Sequence, residues 1–397
     1  MPVTADSDSS TPVISADGRY VLFSSAANNL VLTNSSGPVP NSVPHYMNTY
    51  VRDRVAGTTM LVSVNLQGTG GNGSSFPVEI STNGQYAVYE SVADDLVAND
   101  SNTLNDIFIR DTINHTTVLV SASTNGMAGN GMSYGAVMTP AGRYVAFVSS
   151  ANNLVPNDTN GIPDVFVRDV LSGTTTLVST GAVSAASSSA NGSALPAITP
   201  DGRFIAFYST ATNLVPGMTR IGEVYVRDRQ TGTTVCASTN ARVLFGSSNI
   251  VSCNHAISDD GRYVAFESFP TNVSTLAGRG GVFRHDLQTG VTDIVYTNAN
   301  APLTLSFENI HNLDMTPDGR FVALVANNTN STGNTVINLW DAQTGTNIVV
   351  SVNFSNGLPV VGICDSPIFS AGGQSLAFLC NGTNVTTNTL VFGLATN

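Results

Sequence analysis

Residues 136–180 read AVMTPAGRYVAFVSSANNLVPNDTNGIPDVFVRDVLSGTTTLVST, and four short β-rich runs within them are each bounded by turn signals. Strand A ends at Thr139-Pro140, strand B covers residues 143–149, strand C residues 164–169 and strand D residues 174–179. Pro-Ala-Gly between A and B, and Leu-Ser-Gly between C and D, read as tight hairpin turns in which glycine accepts a positive φ. Strand B sets Tyr144, Ala146 and Val148 on one face and Val145 and Phe147 on the other, so both faces are apolar. A strand of that kind must be covered on both sides.

The same phrase recurs along the whole chain, with turn glycines at Gly18, Gly84, Gly142, Gly202, Gly261, Gly319 and Gly372, spaced by 66, 58, 60, 59, 58 and 53 residues. Regular spacing of this kind marks one tandem array instead of several unlike domains. Seven four-stranded sheets, each covered by the next, leave no broad apolar face exposed if they form a seven-bladed β-propeller. An open β-solenoid is the rival, but its rungs are about 20–30 residues long and do not hold four strands with two tight hairpins. The expectation is therefore an all-β chain in which residues 1–397 form a single seven-bladed propeller of four-stranded antiparallel blades. The last copy supplies strand B at 375–380 and strand C at 389–394 and then lacks a strand D. Residues 1–7, which align with a D strand, are expected to complete blade seven and close the ring.

Thr-Pro-Asp-Gly-Arg-Phe-Ile-Ala-Phe at 199–207, and its partner at 316–324, resemble the TolB-like, WD40-like propeller repeat of bacterial periplasmic and secreted proteins, and the resemblance covers nearly the whole chain. Farther along each unit, Asp53, Asp111, Asp169, Asp228, Asp286 and Asp341 end strand C, where related propellers carry their WD dipeptide; Trp340 falls in that motif. Six copies of one carboxylate, and the turn arginines Arg19, Arg143, Arg203, Arg262 and Arg320, read as scaffold. The resemblance implies a fold that serves protein docking, lectin-like binding, peptidase gating and polysaccharide cleavage, and so leaves function open.

Composition narrows the partners. Every one of the fifteen basic residues is arginine and the net charge is −12, a balance that disfavours nucleic acid and anionic lipid. No apolar stretch is long enough to span a bilayer, so membrane insertion is not expected. Richness in Asn, Ser and Thr, the missing lysine and the cysteines point to a secreted, periplasmic or cell-surface protein whose export signal is not in this chain. Cys364 and Cys380 are symmetric about the last hairpin turn, and Cys236 and Cys253 flank one D–A loop, so the expected disulfides are 364–380 and 236–253.

Function is expected where the copies differ, in the long B–C and D–A loops that share one face. Two B–C loops carry Asp-X-Asn-X-X-X-Asp, as Asp100, Asn102, Asp106 and as Asp158, Asn160, Asp164. Such oxygen side chains suit Ca²⁺, although Asx residues also build turns unaided. Calcium is the one cofactor that the pattern suggests. Glycine-rich D–A loops at 67–74 and 126–133 lack a following helix and a lysine, which argues against phosphate, and are expected to lie flat over the face or to move freely. Exposed aromatics in these loops, such as Phe76, Tyr134 and Phe245, either anchor the loops or stack on a ligand.

His255 and His311 each precede an A strand, the innermost strand, which brings both toward the mouth of the central channel, with Glu79, Asp314 and Asp365 in comparable stretches; this is the basis of a lyase-type alternative. No HExxH, GxSxG or CxxC motif accompanies them. The leading expectation is a non-enzymatic propeller, monomeric or part of a larger surface assembly, that binds a protein or glycan through its long-loop face. The alternatives are a polysaccharide lyase and a purely structural surface module.

Overall fold

The computed structural model describes residues 5–27, 29–31, 46–183, 193–218, 220–246, 249–270, 279–300, 313–327, 334–352, 357–359, 361–380 and 392–393. Two compact units divide the chain, residues 1–202 and 203–397.

Both units are built from antiparallel four-strand meanders that repeat in chain order. The first sheet holds β1 (Ser9–Ile14), β2 (Tyr20–Ser25), β3 (Asn48–Asp53) and β4 (Thr58–Leu61), and the second β5 (Ser75–Ile80), β6 (Tyr86–Ser91), β7 (Asp106–Asp111) and β8 (Thr116–Leu119). In the third, β9 (Ser133–Met138), β10 (Tyr144–Ser149), β11 (Asp164–Asp169) and β12 (Thr174–Leu177) follow the boundaries read from the sequence to within two residues. The fourth comprises β13 (Ser193–Ile198), β14 (Phe204–Ser209), β15 (Glu223–Asp228) and β16 (Thr233–Cys236), followed by the short helix α1 (Ala241–Phe245). The fifth holds β17 (Ile250–Ile257), β18 (Tyr263–Pro270), β19 (Arg279–Asp286) and β20 (Thr292–Asn300). The sixth holds β21 (Leu313–Met315), β22 (Phe321–Asn327), β23 (Thr335–Asp341) and β24 (Thr346–Val349), and is joined to the fifth by a β-bridge between Ala299 and Ala326. The seventh shows β25 (Cys364–Phe369), β26 (Ser375–Cys380) and β27 (Phe392–Gly393) among the described residues.

These are the blades of a β-propeller, seven in number, with one five-residue helix among the described residues. Of residues 1–7, the strand expected to close the ring, 1–4 lie outside the described residues and 5–7 form no strand. Within each unit the A strands of successive sheets lie against one another, β1 on β5 and β5 on β9, then β17 on β21 and β21 on β25.

Strands B and C carry the core because both of their faces are covered. Phe147 stacks on Phe166 at 5.9 Å between ring centroids and Phe266 on Phe283 at 5.8 Å, all four being fully or almost fully buried. Enclosure of one such ring contributes about 2 kcal/mol or more, so these stacks outweigh the exposed ion pairs at the turns.

Adjacent sheets interlock at the A–B turn. Tyr20, Tyr86 and Tyr144 each lay a ring over the turn glycine of the next sheet, where a Cβ on Gly84, Gly142 or Gly202 would stand 2.4, 2.3 or 2.2 Å from a ring carbon. In the second unit Phe204 covers Gly261 and Tyr263 covers Gly319 in the same way. The glycines are thus required twice, for φ near +70° and for the absent Cβ. In the seventh sheet this role belongs to Gly373, with φ +68°, packed against Thr316 and Pro317, one residue after the Gly372 read from the sequence.

The turn arginine packs on the ring that follows it. Arg19, Arg143, Arg203, Arg262 and Arg320 stack over the aromatic residue that follows them, at 4.5–4.8 Å. Each also pairs with the aspartate that ends strand C, Asp53, Asp169, Asp228, Asp286 and Asp341, at 2.7–3.0 Å. The guanidinium holds the carboxyls of Asp53, Asp228, Asp286 and Asp341 below the usual carboxylate range. Those aspartates further accept the backbone N–H groups of the C–D turn, such as Val55 and Ala56 on Asp53. The scaffold reading of glycine, arginine and aspartate holds.

One disulfide is present, Cys364–Cys380, at a directly opposed pair of β25 and β26. Equivalent pairs elsewhere are serines joined by hydrogen bonds, Ser9 with Ser25, Ser75 with Ser91, Ser133 with Ser149 and Ser252 with Ser268, at 2.8–2.9 Å. The 236–253 pairing is not formed, and both residues are free thiols. Cys236 closes the outermost strand of one sheet, whereas Cys253 lies on β17, the innermost strand of the next. A sheet four strands wide, at about 4.8 Å per strand, separates positions that the D–A loop makes close in sequence.

Two outcomes follow from this packing. Gly126 has φ +83° and nothing near its missing Cβ, so Gly126→Ala is expected to cost only the left-handed strain, about 1 kcal/mol in urea unfolding. Gly142→Ala adds the collision with Tyr86 and is expected to cost about 3 kcal/mol or more; equal losses would remove the ring contact from the account. Non-reducing peptide mapping is expected to recover 364–380 linked and Cys236 and Cys253 alkylated, and recovery of a 236–253 bridge would reverse this assignment.

Candidate binding face

In the first unit the long loops are ordered by one another. The D–A segment after β4 forms a small hairpin through the bridge of Val64 with Gly70, and the segment after β8 repeats it with Ala122 and Ala128. Each hairpin is pinned to the B–C loop of the following sheet. Asn72 N donates to Asp95 Oδ1 at 2.9 Å, Asn72 Nδ2 to Asp94 Oδ1 at 2.5 Å and Asp94 N back to Asn72 Oδ1 at 3.1 Å. Asn130 makes the same three bonds with Asn153 and Asn152. Gly131 has to be glycine, since a Cβ there would lie 2.6 Å from the backbone of Ser150 and Ala151. The expectation of flat or freely moving loops gives way to pinned hairpins, because paired amides on both loops satisfy one another.

At the loop end of the A strands, Phe76 and Tyr134 occupy the same position, each following the serine that pairs with strand B. Both stay exposed, at 43% and 38%. Phe245 differs. It sits on α1 against Gly281, and Arg242 of the same helix pairs with Glu223 at 2.7 Å, so this residue anchors its loop.

The Asp-X-Asn-X-X-X-Asp residues come together in both loops. Asn102 Oδ1 accepts the N–H of Leu104, which orients Nδ2 toward Asp106 Oδ2 at 3.0 Å and the carbonyl of Gly129 at 3.1 Å. Asn160 repeats this with Ile162, Asp164 and Ala182. The asparagines therefore present nitrogen, and not oxygen, to the terminal aspartates. Burial pushes Asp100, Asp106 and Asp164 up to about 6, and Asp158 upward, with the paired aspartate adding to the rise in Asp106 and Asp164.

Glu79 and Asp314 prove to be structural equivalents. Glu79 Oε2 accepts the backbone N–H of Met138 at 2.5 Å, and Asp314 Oδ2 that of Phe369 at 2.7 Å, so each fastens its A strand to the A strand of the next sheet. Glu90 works alongside, accepting Gly135 N at 2.8 Å and Asn105 Nδ2 at 2.9 Å. Comparison of the T/S-P/A-D/N-G phrases in register shows that only the second and sixth copies carry an acid two residues before it, a signal readable in advance. Asp365 Oδ1 accepts the adjacent Ser366 N–H. His255 lies half-buried on β17 opposite Phe266, and His311 is outside the described residues, so the two histidines of the lyase alternative are not seen together. Among the described residues no three His, Cys, Asp or Glu side chains gather in a metal-binding cluster, and no helix is long and apolar enough to cross a membrane.

No family model and no curated protein matches the chain. Among solved structures it is similar to oligogalacturonate lyase from Vibrio parahaemolyticus, at 11% identity over 95% of this chain and 88% of that one, with a TM-score of 0.52. It also aligns with the β-propeller domain of the Trilobed protease from Pyrococcus furiosus, at 10% identity over 96% and 92% with a TM-score of 0.48. TolB from Acinetobacter baumannii aligns at 16% identity over 83% and 69%, with a TM-score of 0.38. The likeness to the lyase speaks to the fold alone.

Enclosure pushes the Glu79 carboxyl up to about 7, against the opposing pull of the Met138 N–H. A carboxyl raised in the folded state binds more protons than in the unfolded chain between its ordinary value and about 7. Stability is therefore expected to fall as pH rises through that window, by about 3 kcal/mol from this residue. Urea unfolding from pH 4.5 to 8 is expected to show a flatter profile in Glu79→Gln than in wild type, and parallel profiles would contradict the enclosure of this group.

Proposed function

We propose that the chain is an exported, non-catalytic propeller that binds a protein or glycan partner through the loop end of its A strands, a glycan being favoured. The observation that carries the reading is the contrast between shared and unshared groups. Repeated arginines, aspartates and turn glycines are consumed by the scaffold, while Phe76 and Tyr134 repeat one position yet remain exposed. The segments that lead into them carry amides held in fixed loops, Asn72 and Asn130, the latter paired with Asn152. An aromatic face beside oriented amides suits a neutral sugar, which offers apolar ring faces and hydroxyls that both donate and accept. Little rotamer freedom is lost on binding to pinned loops. Export is supported by the disulfide, which persists in oxidising compartments.

Binding of wild type and of a Phe76→Ser/Tyr134→Ser variant to a neutral glycan array is the test. The variant is expected to lose affinity by about 10-fold or more, equivalent to about 1.4 kcal/mol, with an unchanged melting temperature. Retained binding, or the appearance of unsaturated sugar product on incubation with wild type, would overturn the reading.

A further inference from the structure

One buried position recurs at the start of strand C, and the chain treats its charge in three ways. In each of four sheets a strand D serine donates its hydroxyl to the side chain there: Ser63 to Asn48, Ser121 to Asp106, Ser179 to Asp164 and Ser238 to Glu223. Asn48 is neutral and raises no question of charge. Glu223 is a buried carboxylate, and Arg242 neutralises it at 2.7 Å. Asp106 and Asp164 are fully buried, and among the described residues no arginine pairs with either.

A second carboxylate makes those two loops more acidic still. Asp100 N bonds to Val97 O, and Met218 N to Val215 O, which places Met218 in the register of Asp100, while Asp158 occupies it in the third sheet. Where methionine replaces that acid the chain brings in an arginine; where the acid is kept it brings in none. Asp100 and Asp158 are only 5% and 6% exposed. Asp100 Oδ1 accepts the Asn102 N–H, but Oδ2 is enclosed with no hydrogen-bond partner. It lies within Coulomb range of both Asp106 and Asp94. An enclosed carboxylate oxygen without a donor carries a large desolvation cost unless a cation meets it.

We propose that the 97–106 loop binds Ca²⁺ through Asp100 and Asp106, and that the 155–164 loop binds a second Ca²⁺ through Asp158 and Asp164. The ion takes the part that Arg242 plays for Glu223. Main-chain carbonyls and water complete the shell, the hard oxygen donors that Ca²⁺ accepts. Each ion fastens a B–C loop to the D–A segment that follows the same sheet, since Asn102 joins Asp106 to Gly129 and Asn160 joins Asp164 to Ala182. The site is independent of the glycan-binding reading, because Phe76 and Tyr134 take no part in it.

The full-length chain, stripped with EDTA and desalted at pH 7.5, is titrated with CaCl₂ by calorimetry and melted with and without the ion. About two ions per chain are expected, with a melting temperature several degrees higher in excess Ca²⁺, as for any ligand selective for the folded state. Asp100→Asn is expected to remove one ion from the stoichiometry, and Asp158→Asn the other. Should either variant fail to fold, the wild-type titration and its Ca²⁺-dependent melt decide the matter alone. Absence of heat with melts that coincide in EDTA and Ca²⁺ would overturn the proposal, as these acids would then simply hold protons. Ca²⁺ binding that persists in the Asp100→Asn/Asp158→Asn variant would overturn it too.

Discussion

The structure depends on one close contact, the ring of an aromatic residue lying flat on a glycine in the turn of the next sheet. That contact is possible only where no Cβ exists and where the turn runs through positive φ, and both conditions are met by glycine alone. An arginine stacks on the ring and reaches the aspartate of its own sheet, so ring, cation and carboxylate form one unit. The same aspartate orders the C–D turn through its backbone N–H groups. Sheet-to-sheet spacing, both hairpin turns and the orientation of strand C thus descend from a single steric requirement, repeated within each unit.

This arrangement explains why the most repetitive residues are silent on function. A ligand cannot use an arginine already held between a ring and a carboxylate without dismantling a blade contact. The groups left to act are those at which copies diverge: the aromatics Phe76 and Tyr134, the bridging acids Glu79 and Asp314, and the buried carboxylates of two B–C loops. Divergence has a physical limit, however. Each buried charge needs a partner, and the chain solves this with an amide at Asn48 and with an arginine at Glu223.

The blade itself was legible because alternation, hairpin glycines and spacing all act locally. Strands B and C of the third copy run as Tyr144–Ser149 and Asp164–Asp169, against expected 143–149 and 164–169. Cys364 and Cys380 could be paired from sequence since both sit on one hairpin. The 236–253 pairing failed for the converse reason, as a D–A loop leads from the outer strand of one sheet to the inner strand of the next. Likewise, the choice between Gly372 and Gly373 required knowing which residue faces Thr316, a contact from another sheet. Glu79 looked like a channel-mouth acid until its acceptor role toward Met138 was seen, an interaction across 59 residues of sequence.

The loops show the same boundary between local and distant information. Asp-X-Asn-X-X-X-Asp was readable as a curled turn, and the asparagine does orient it through its own backbone neighbours. What the spacing could not convey is that the asparagine amide also clasps the D–A segment that follows the same sheet, through Gly129 or Ala182. A B–C loop and a D–A loop are therefore one mechanical element, and any group that neutralises the aspartates stiffens both. Tyr134 emerges directly after the hairpin that holds Gly129, near the start of its A strand. Order in the 97–106 loop thus bears on how firmly Tyr134 is held, which links the buried charge of that loop to the surface proposed above for a partner.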